Sequence, residues 1–326
     1  MTPTRDTTPS AALLGPQRLA PTLAAACDAL SLAPDARVAV ITAGWQEREL
    51  EHDELFAALA RPAVNLRLHA RAEWAFERDG ELFVAHRSKQ DALKQLQGLY
   101  RRRLRHVMDS ARELLDLAQH EHDSSAEPTA RARVAEEIDA ALEDVRRLDV
   151  HHLERVLEIE RAYRERQRPQ ERAAVLEQRA ELEQTLAGCQ AIAVAGGHVA
   201  TILERLKLFE LGPALRRAPV IAWSAGAMAL SDRIVLFHDC PPQGRGDAEV
   251  LHAGLGVFPG VVPLPHARHR LLLEDSTRVA LFARRFAPAV CVALDERCGL
   301  YLLGPDRAGH EVLPGTRVLQ EDGSCH

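Results

Sequence analysis

Apolar positions change their period twice along this chain. Over Arg37–Ala43 they form an unbroken, β-branched run that stops at Gly44, the pattern of a strand buried on both faces. Thr22–Leu30 reads as a short Ala-rich helix, Glu47–Ala60 has helical spacing, and Ala63–Ala70 reads as the next strand, so this stretch predicts a β-α-β order. Beyond Arg87 the period becomes helical. Leu93, Leu96, Tyr100, Leu104, Val107, Ala111, Leu114 and Ala118 fall three and four apart, predicting an amphipathic helix of about 30 residues, or about 45 Å. After a loop at Asp123–Pro128, a second helical array runs through Val134, Ile138, Val145, Val156 and Tyr163, and Pro169 begins or kinks a helix before Leu176, Leu182 and Leu186. Short strand-like runs then return at Ala191–Ala195 and Pro219–Trp223, with further strands expected at Arg233–Phe237, Ala289–Leu294 and Leu300–Leu303.

Charge divides the chain at the same places. Of 41 basic and 47 acidic residues, 19 and 21 fall between Arg87 and Thr185, a stretch with one glycine, Gly98, and two prolines, Pro128 and Pro169. The expected fold is therefore α/β: an open, mostly parallel sheet flanked by helices, interrupted by a long inserted helical arm. Residues 11–86 form its first part, 87–185 the arm, and 186–326 the second part. A charged helix set of this kind reads as a solvated spacer, or as an arm that buries its apolar stripe by packing on itself as a hairpin or by pairing with a second copy; a homo-oligomer through the arm is expected. Met1–Ser10 is polar and is expected to be poorly ordered.

Composition narrows the partners. A formal charge of −6 gives no overall field for nucleic acid, although Arg101, Arg102, Arg103 and Arg105 cluster locally. No apolar run reaches the ~20 residues that a bilayer demands and no signal-peptide pattern is present, so no membrane partner is expected. Six cysteines without a CxxC pair read as reduced thiols, and the expected location is cytoplasmic. The histidine pairs lack further ligands at zinc spacing and no GxGxxG follows a strand, so neither metal nor cofactor is expected.

Candidate chemistry collects where strands end. In open parallel sheets, sites form at the carboxyl ends of strands. Two such ends carry unusual residues, Gly196-Gly197-His198 and Trp223-Ser224-Ala225-Gly226-Ala227. The second lies between a strand and an apparent helix, the setting of a nucleophile elbow, in which a sharp turn lifts a serine hydroxyl out of the sheet. The amide of Ala225 and one from Gly197 or His198 are the candidate oxyanion donors, Gly196 providing the close approach. His266, in what reads as a rigid loop at Pro263–Pro265, is the candidate base and Asp239 the candidate orienting carboxylate. Taken singly, Ser224 also fits a packing serine, His266 a surface histidine, and Asp239 a cap.

In order along the chain, Ala195-Gly196-Gly197, Trp223–Ala227, Gly254–Val262 leading to His266, and Ala293-Leu294-Asp295-Glu296 resemble the cyanophycinase and aspartyl dipeptidase (dipeptidase E) family. Those are serine peptidases on the class I glutamine amidotransferase-like fold. The resemblance spans about 191–303, more weakly 37–43, and leaves out the arm. It implies Ser224 as nucleophile, His266 as base, Asp239 as third member, and Gly197 with Ala225 as oxyanion donors. The product of such a site is a cleaved peptide or amide bond in a small, aspartyl-linked substrate, whose carboxylate Arg268, Arg270 or Arg245 would hold. This chain departs from the family at His198, where Asn is usual, and at Ala267, where an aromatic is common. An alternative is an inactive relative that binds or assembles through the arm. A glutaminase, which normally needs an elbow cysteine, ranks below both.

Overall fold

The computed structural model describes residues 8–122, 128–237 and 246–326. The chain opens with β1 (Pro9–Leu14), α1 (Leu23–Ala29), β2 (Val38–Ile41), α2 (Asp53–Leu59), β3 (Ala63–Asn65) and α3 (Leu68–Arg78). Two long helices, α4 (Gly80–His122) and α5 (Pro128–Gln167), follow, then α6 (Ala173–Ala187). Strand and helix then alternate through β4 (Ala191–Val194), α7 (Val199–Leu208), α8 (Gly212–Arg217), β5 (Val220–Trp223) and α9 (Ala225–Leu230). The remainder holds β6 (Arg233–Leu236), β7 (Glu249–Ala253), β8 (Val261–Pro265), α10 (Ala267–Arg270), α11 (Ser276–Phe286), β9 (Val290–Leu294), β10 (Gly299–Leu303), β11 (Gly309–Val312) and β12 (Arg317–Leu319).

The main sheet runs β11-β10-β1-β5-β4-β2-β3, with β1, β5, β4, β2 and β3 parallel and β10 and β11 antiparallel at one edge. Alternate residues of its central strands enter two different cores, as the period of two requires. Leu13, Ile41, Val194 and Ala222 join the core beneath α3, α6, α7 and α9, whereas Leu14, Val40, Ala193 and Trp223 join the one beneath α1 and α2. Helices thus cover both faces. A smaller sheet, β12-β9-β8, and the β6-β7 hairpin complete the fold.

The structure differs from the sequence pattern in several places. The polar start is not loose up to Ser10: β1 begins at Pro9 and lies between β10 and β5. The run 63–70 is strand only to Asn65. There the side chain turns the backbone, Oδ1 accepting the Arg67 amide and Nδ2 donating to the Glu49 carbonyl. The Glu49 carboxylate then accepts the amides of His69 and Ala70 at 3.0 and 2.9 Å, satisfying orphan donors at the start of α3. The stretch 47–60 divides into a 3-10 turn, Ala43–Arg48, and α2. Pro263–Pro265 is not a loop but the buried end of β8.

The long helix starts at Gly80 rather than beyond Arg87, and α6, expected in the arm, packs Val175 and Leu182 into the main core. The helix pair does not stand clear of the body. Tyr100, Leu104, Met108, Ala111, Leu142 and Val145 are buried in one cluster with Val250, Leu264, Phe282 and Phe286. Two buried polar junctions fasten it. Arg285, 2% exposed, donates to both carboxylate oxygens of Asp149 at 2.7 and 2.8 Å, to the Tyr100 hydroxyl at 2.9 Å and to the Ala248 carbonyl at 2.6 Å. Lys89 bonds to Glu204 and, at 3.2 Å, to Glu160, which also meets His252 and Lys207. Burial pushes the Glu160 carboxyl upward, but the His252 hydrogen bond and the Lys89 and Lys207 charges outweigh it and hold the group well below its usual range. Glu160, Glu204 and His252 are metal-ligand types within 4.8 Å of one another, yet the Lys89 ammonium already answers both carboxylates. Among the described residues no helix is long and apolar enough to cross a membrane.

Removing one side of the Arg285 junction strands a buried charge. Arg285→Met is expected to cost about 3–5 kcal/mol in urea unfolding, and adding Asp149→Leu to recover most of it, because a paired apolar replacement leaves no orphan.

Candidate functional site

Ser224 closes β5 and opens α9 with φ 50° and ψ −124°, a conformation that costs a non-glycine residue of order 1–3 kcal/mol. Its amide donates to the Leu14 carbonyl of β1 at 3.2 Å, and every residue of α9 is buried, so the surroundings hold the turn in place. Small neighbours are obligatory. A Cβ on Gly226 would lie 2.3 Å from the Val194 carbonyl oxygen and 2.7 Å from that of Ala195, and one on Gly196 would lie 2.9 Å from Ser224 Cβ.

The double glycine is itself pinned by a third strand end. Gly197, at φ 121°, packs on Gly44 just after β2, where an added Cβ would meet the Gly44 oxygen at 2.4 Å. That oxygen accepts the His198 amide at 2.9 Å. Of the expected oxyanion donors, His198 N–H is therefore already committed. Those of Gly197 and Ala225 make no hydrogen bond among the described residues, and a Cβ position on Gly196 only 3.6 Å from Ala225 N places the two loops against each other. The His198 ring instead turns back to cap α7.

His266 ends β8 and caps α10 in a left-handed conformation, φ 57° and ψ 35°. Its amide donates to the Leu294 carbonyl at 3.1 Å. Gly15, following the Leu14 that receives Ser224, lies so close to the end of β9 that a Cβ there would sit 3.2 Å from that same Leu294 oxygen. Ser224 and His266 are thus linked through main chain by way of Leu14-Gly15 and Leu294. Neither the Ser224 hydroxyl nor the His266 ring is hydrogen-bonded among the described residues, so the expected nucleophile and base make no direct hydrogen bond with each other.

Half-burial and the neighbouring Arg270 guanidinium lower the pKa of His266, opposed by Asp295 and Glu296. Arg270 forms no ion pair among the described residues, and burial lowers its own pKa. Arg268 contributes its amide to the Asp295 carboxylate at 3.0 Å, and its side chain lines a cleft with Leu271, Leu273 and Arg317. Asp239 and Arg245 lie outside the described residues. Asp295 is the buried carboxylate that reaches His266 electrostatically, a part the downstream Ala293–Glu296 run did not disclose. Gly44, Gln46 and Thr201 also escaped sequence reading. Their one signal was the glycine ending the first strand, whose meaning depends on β2 and β4 being neighbours.

No protein-family model and no curated protein matches this chain.

The two glycine environments give opposite expectations. Gly226→Ala forces backbone against backbone and is expected to destabilise by about 2–4 kcal/mol. Gly98→Ala, in a helix with nothing within 4 Å of the new Cβ, is expected to stabilise by about 0.5–1 kcal/mol, both read by thermal or urea unfolding.

Proposed function

We propose that this protein is a serine hydrolase that cleaves a peptide or amide bond in a small substrate through a Ser224 acyl-enzyme. The observation that carries the reading is the strained Ser224 turn, packed against a double glycine, with the Ala225 and Gly197 amides unspent beside it. Ser224 Oγ attacks the amide carbon and passes its proton to His266. The carbonyl oxygen becomes an oxyanion that the two amides stabilise. The C–N bond then breaks as His266 returns the proton to the leaving amine, and a water molecule, deprotonated by the same ring, cleaves the ester. Asp239 is the proposed orienting carboxylate, and Asp295 a second carboxylate acting on the same imidazole. Arg270, charged and without a partner among the described residues, is the proposed holder of a substrate carboxylate, consistent with an aspartyl-linked substrate.

The reading goes with a class I glutamine amidotransferase-like fold, supported by the resemblance of the motifs over 191–303 to the cyanophycinase and aspartyl dipeptidase family. A glutaminase is disfavoured by the hydroxyl at the elbow. An assembly role for the helix pair has less behind it, since its buried stripe is spent on α11, β7 and β8.

A fluorophosphonate probe is expected to label the protein at Ser224, and Ser224→Ala or His266→Ala to abolish labelling; an unlabelled wild type sinks the proposal. Because burial and Arg270 disfavour the imidazolium, His266 stays a free base below the pH at which an ordinary imidazole protonates. The acid limb of the labelling rate is expected below pH ~6.5, and Arg270→Gln to move it upward.

A further inference from the structure

A second residue shares the dihedral angles of the elbow serine. Gln46, past the end of β2, has φ 56° and ψ −122°, against 50° and −124° for Ser224. Such conformations persist in a non-glycine residue only where neighbours enforce them, and they gather at sites that need a group held in place. Gln46 lies two residues beyond the Gly44 that abuts Gly197, and its Nε2 donates to Thr201 Oγ1 at 3.3 Å, tying the β2 loop to the first turn of α7.

Thr201 in turn determines the chemistry of His198. Its backbone N–H donates to His198 Nδ1 at 3.2 Å. A backbone amide can only donate, so Nδ1 must be the unprotonated nitrogen of the neutral ring. The Thr201 hydroxyl lies 2.9 Å from the same nitrogen, and because its oxygen already accepts from Gln46, its hydrogen is available to Nδ1. The directions run one way, from the Gln46 amide to the Thr201 hydroxyl to His198 Nδ1. The ring proton is left on Nε2, which makes no hydrogen bond among the described residues and belongs to an exposed residue directly after the Gly197 oxyanion donor.

We propose that His198, its tautomer set by Thr201 and Gln46, is a substrate-binding residue that donates an Nε2–H hydrogen bond to an acceptor oxygen on the acyl half of the substrate, next to the carbonyl under attack. Thr201 and Gln46 are positioning residues. The assignment rests on the serine hydrolase reading for its substrate role, while the ring geometry stands apart from it. It also gives a physical sense to a histidine where the resembling family has Asn: with Nδ1 occupied, the ring presents an N–H donor, as the NH2 end of a carboxamide does.

The test is the nitrogen-15 spectrum of the histidine rings in the full-length protein in mildly alkaline solution, with the His198 signals identified by their loss in His198→Gln. The expected result is the Nε2–H pattern in wild type and in Thr201→Ser, and a smaller excess of Nε2–H in Thr201→Val, where the backbone amide still donates to Nδ1 but the hydroxyl is gone, with Gln46→Ala intermediate. In turnover of a small amide substrate, His198→Ala is expected to raise KM about three- to tenfold with kcat little changed, Thr201→Val to raise it by a smaller factor, and Thr201→Ser to restore it. An Nδ1–H ring in wild-type protein that still labels at Ser224 overturns the His198 proposal alone, as does a Thr201→Val variant with unchanged tautomer and KM. A folded wild type that neither labels nor turns over amides overturns the hydrolase reading and the substrate role with it, whatever the spectra show.

Discussion

Everything at the candidate site follows from backbone approaching backbone more closely than any side chain permits. The ends of β2, β4 and β5 meet through Gly44, Gly196, Gly197 and Gly226, and at Gly197 and Gly226 an added Cβ would fall within 2.4 Å of a carbonyl oxygen. The Gly197 and Ala225 amides at this junction make no hydrogen bond among the described residues, and whatever polarity they lend comes from fixed main-chain dipoles that need little reorganisation. The strain at Ser224 is held by the Leu14 carbonyl beneath it and by the wholly buried α9 behind it. A less crowded junction would let the turn relax toward an ordinary conformation and withdraw the hydroxyl.

The helix pair presents a different balance of forces. Buried ion pairs contribute little net stability, since desolvation offsets most of their attraction, but breaking one is costly. Their value here lies in register. Lys89 faces Glu160 and Tyr100 faces Asp149, and the step from 89 to 100 on α4 equals the step from 149 to 160 on α5, about three turns. Sliding either helix by one turn would leave both junctions unpaired, whereas an apolar seam alone tolerates such shifts more readily. Burial pushes the Tyr100 hydroxyl's pKa upward, so the group stays a neutral donor to Asp149 while its oxygen accepts from Arg285.

How much of this was legible in the sequence depended on the range of each interaction. Strands such as 38–41, 191–194 and 220–223 are buried on both faces, and their unbroken apolar runs mark them clearly. The strand-to-helix turn at Ser224 was equally readable, because its small residues are contiguous. What stayed hidden was set by distant partners. β1 starts among polar residues, and becomes a strand because β5 and β10 flank it. The start of α3 depends on Glu49, far from it in sequence, and Pro263 is tolerated in β8 because that strand lies at the edge of its sheet, which no local propensity reveals. The charged middle stretch announced helices correctly as a pattern, but its stripe could not say that the surface it covers belongs to the same chain.

That last point bears on why the helices are there. The segment carrying Asp239 lies between β6 and β7, and the helix pair with α11 fixes the point where the chain returns from it. Arg112 pairs with Asp247, Gln97 and Arg101 bond to Glu249, and the Tyr100 hydroxyl accepts the Val250 amide, while Arg285 of α11 holds the Ala248 carbonyl. Four successive residues at the start of the returning strand are therefore gripped by side chains from α4 and α11. A spacer or a detached assembly arm would have no reason to spend buried, directional bonds on this one strand. The arrangement instead makes the long helices a brace for the β6-β7 hairpin, while the glycine-lined strand ends hold the turn at Ser224, so that two different layers of one fold fix these two regions.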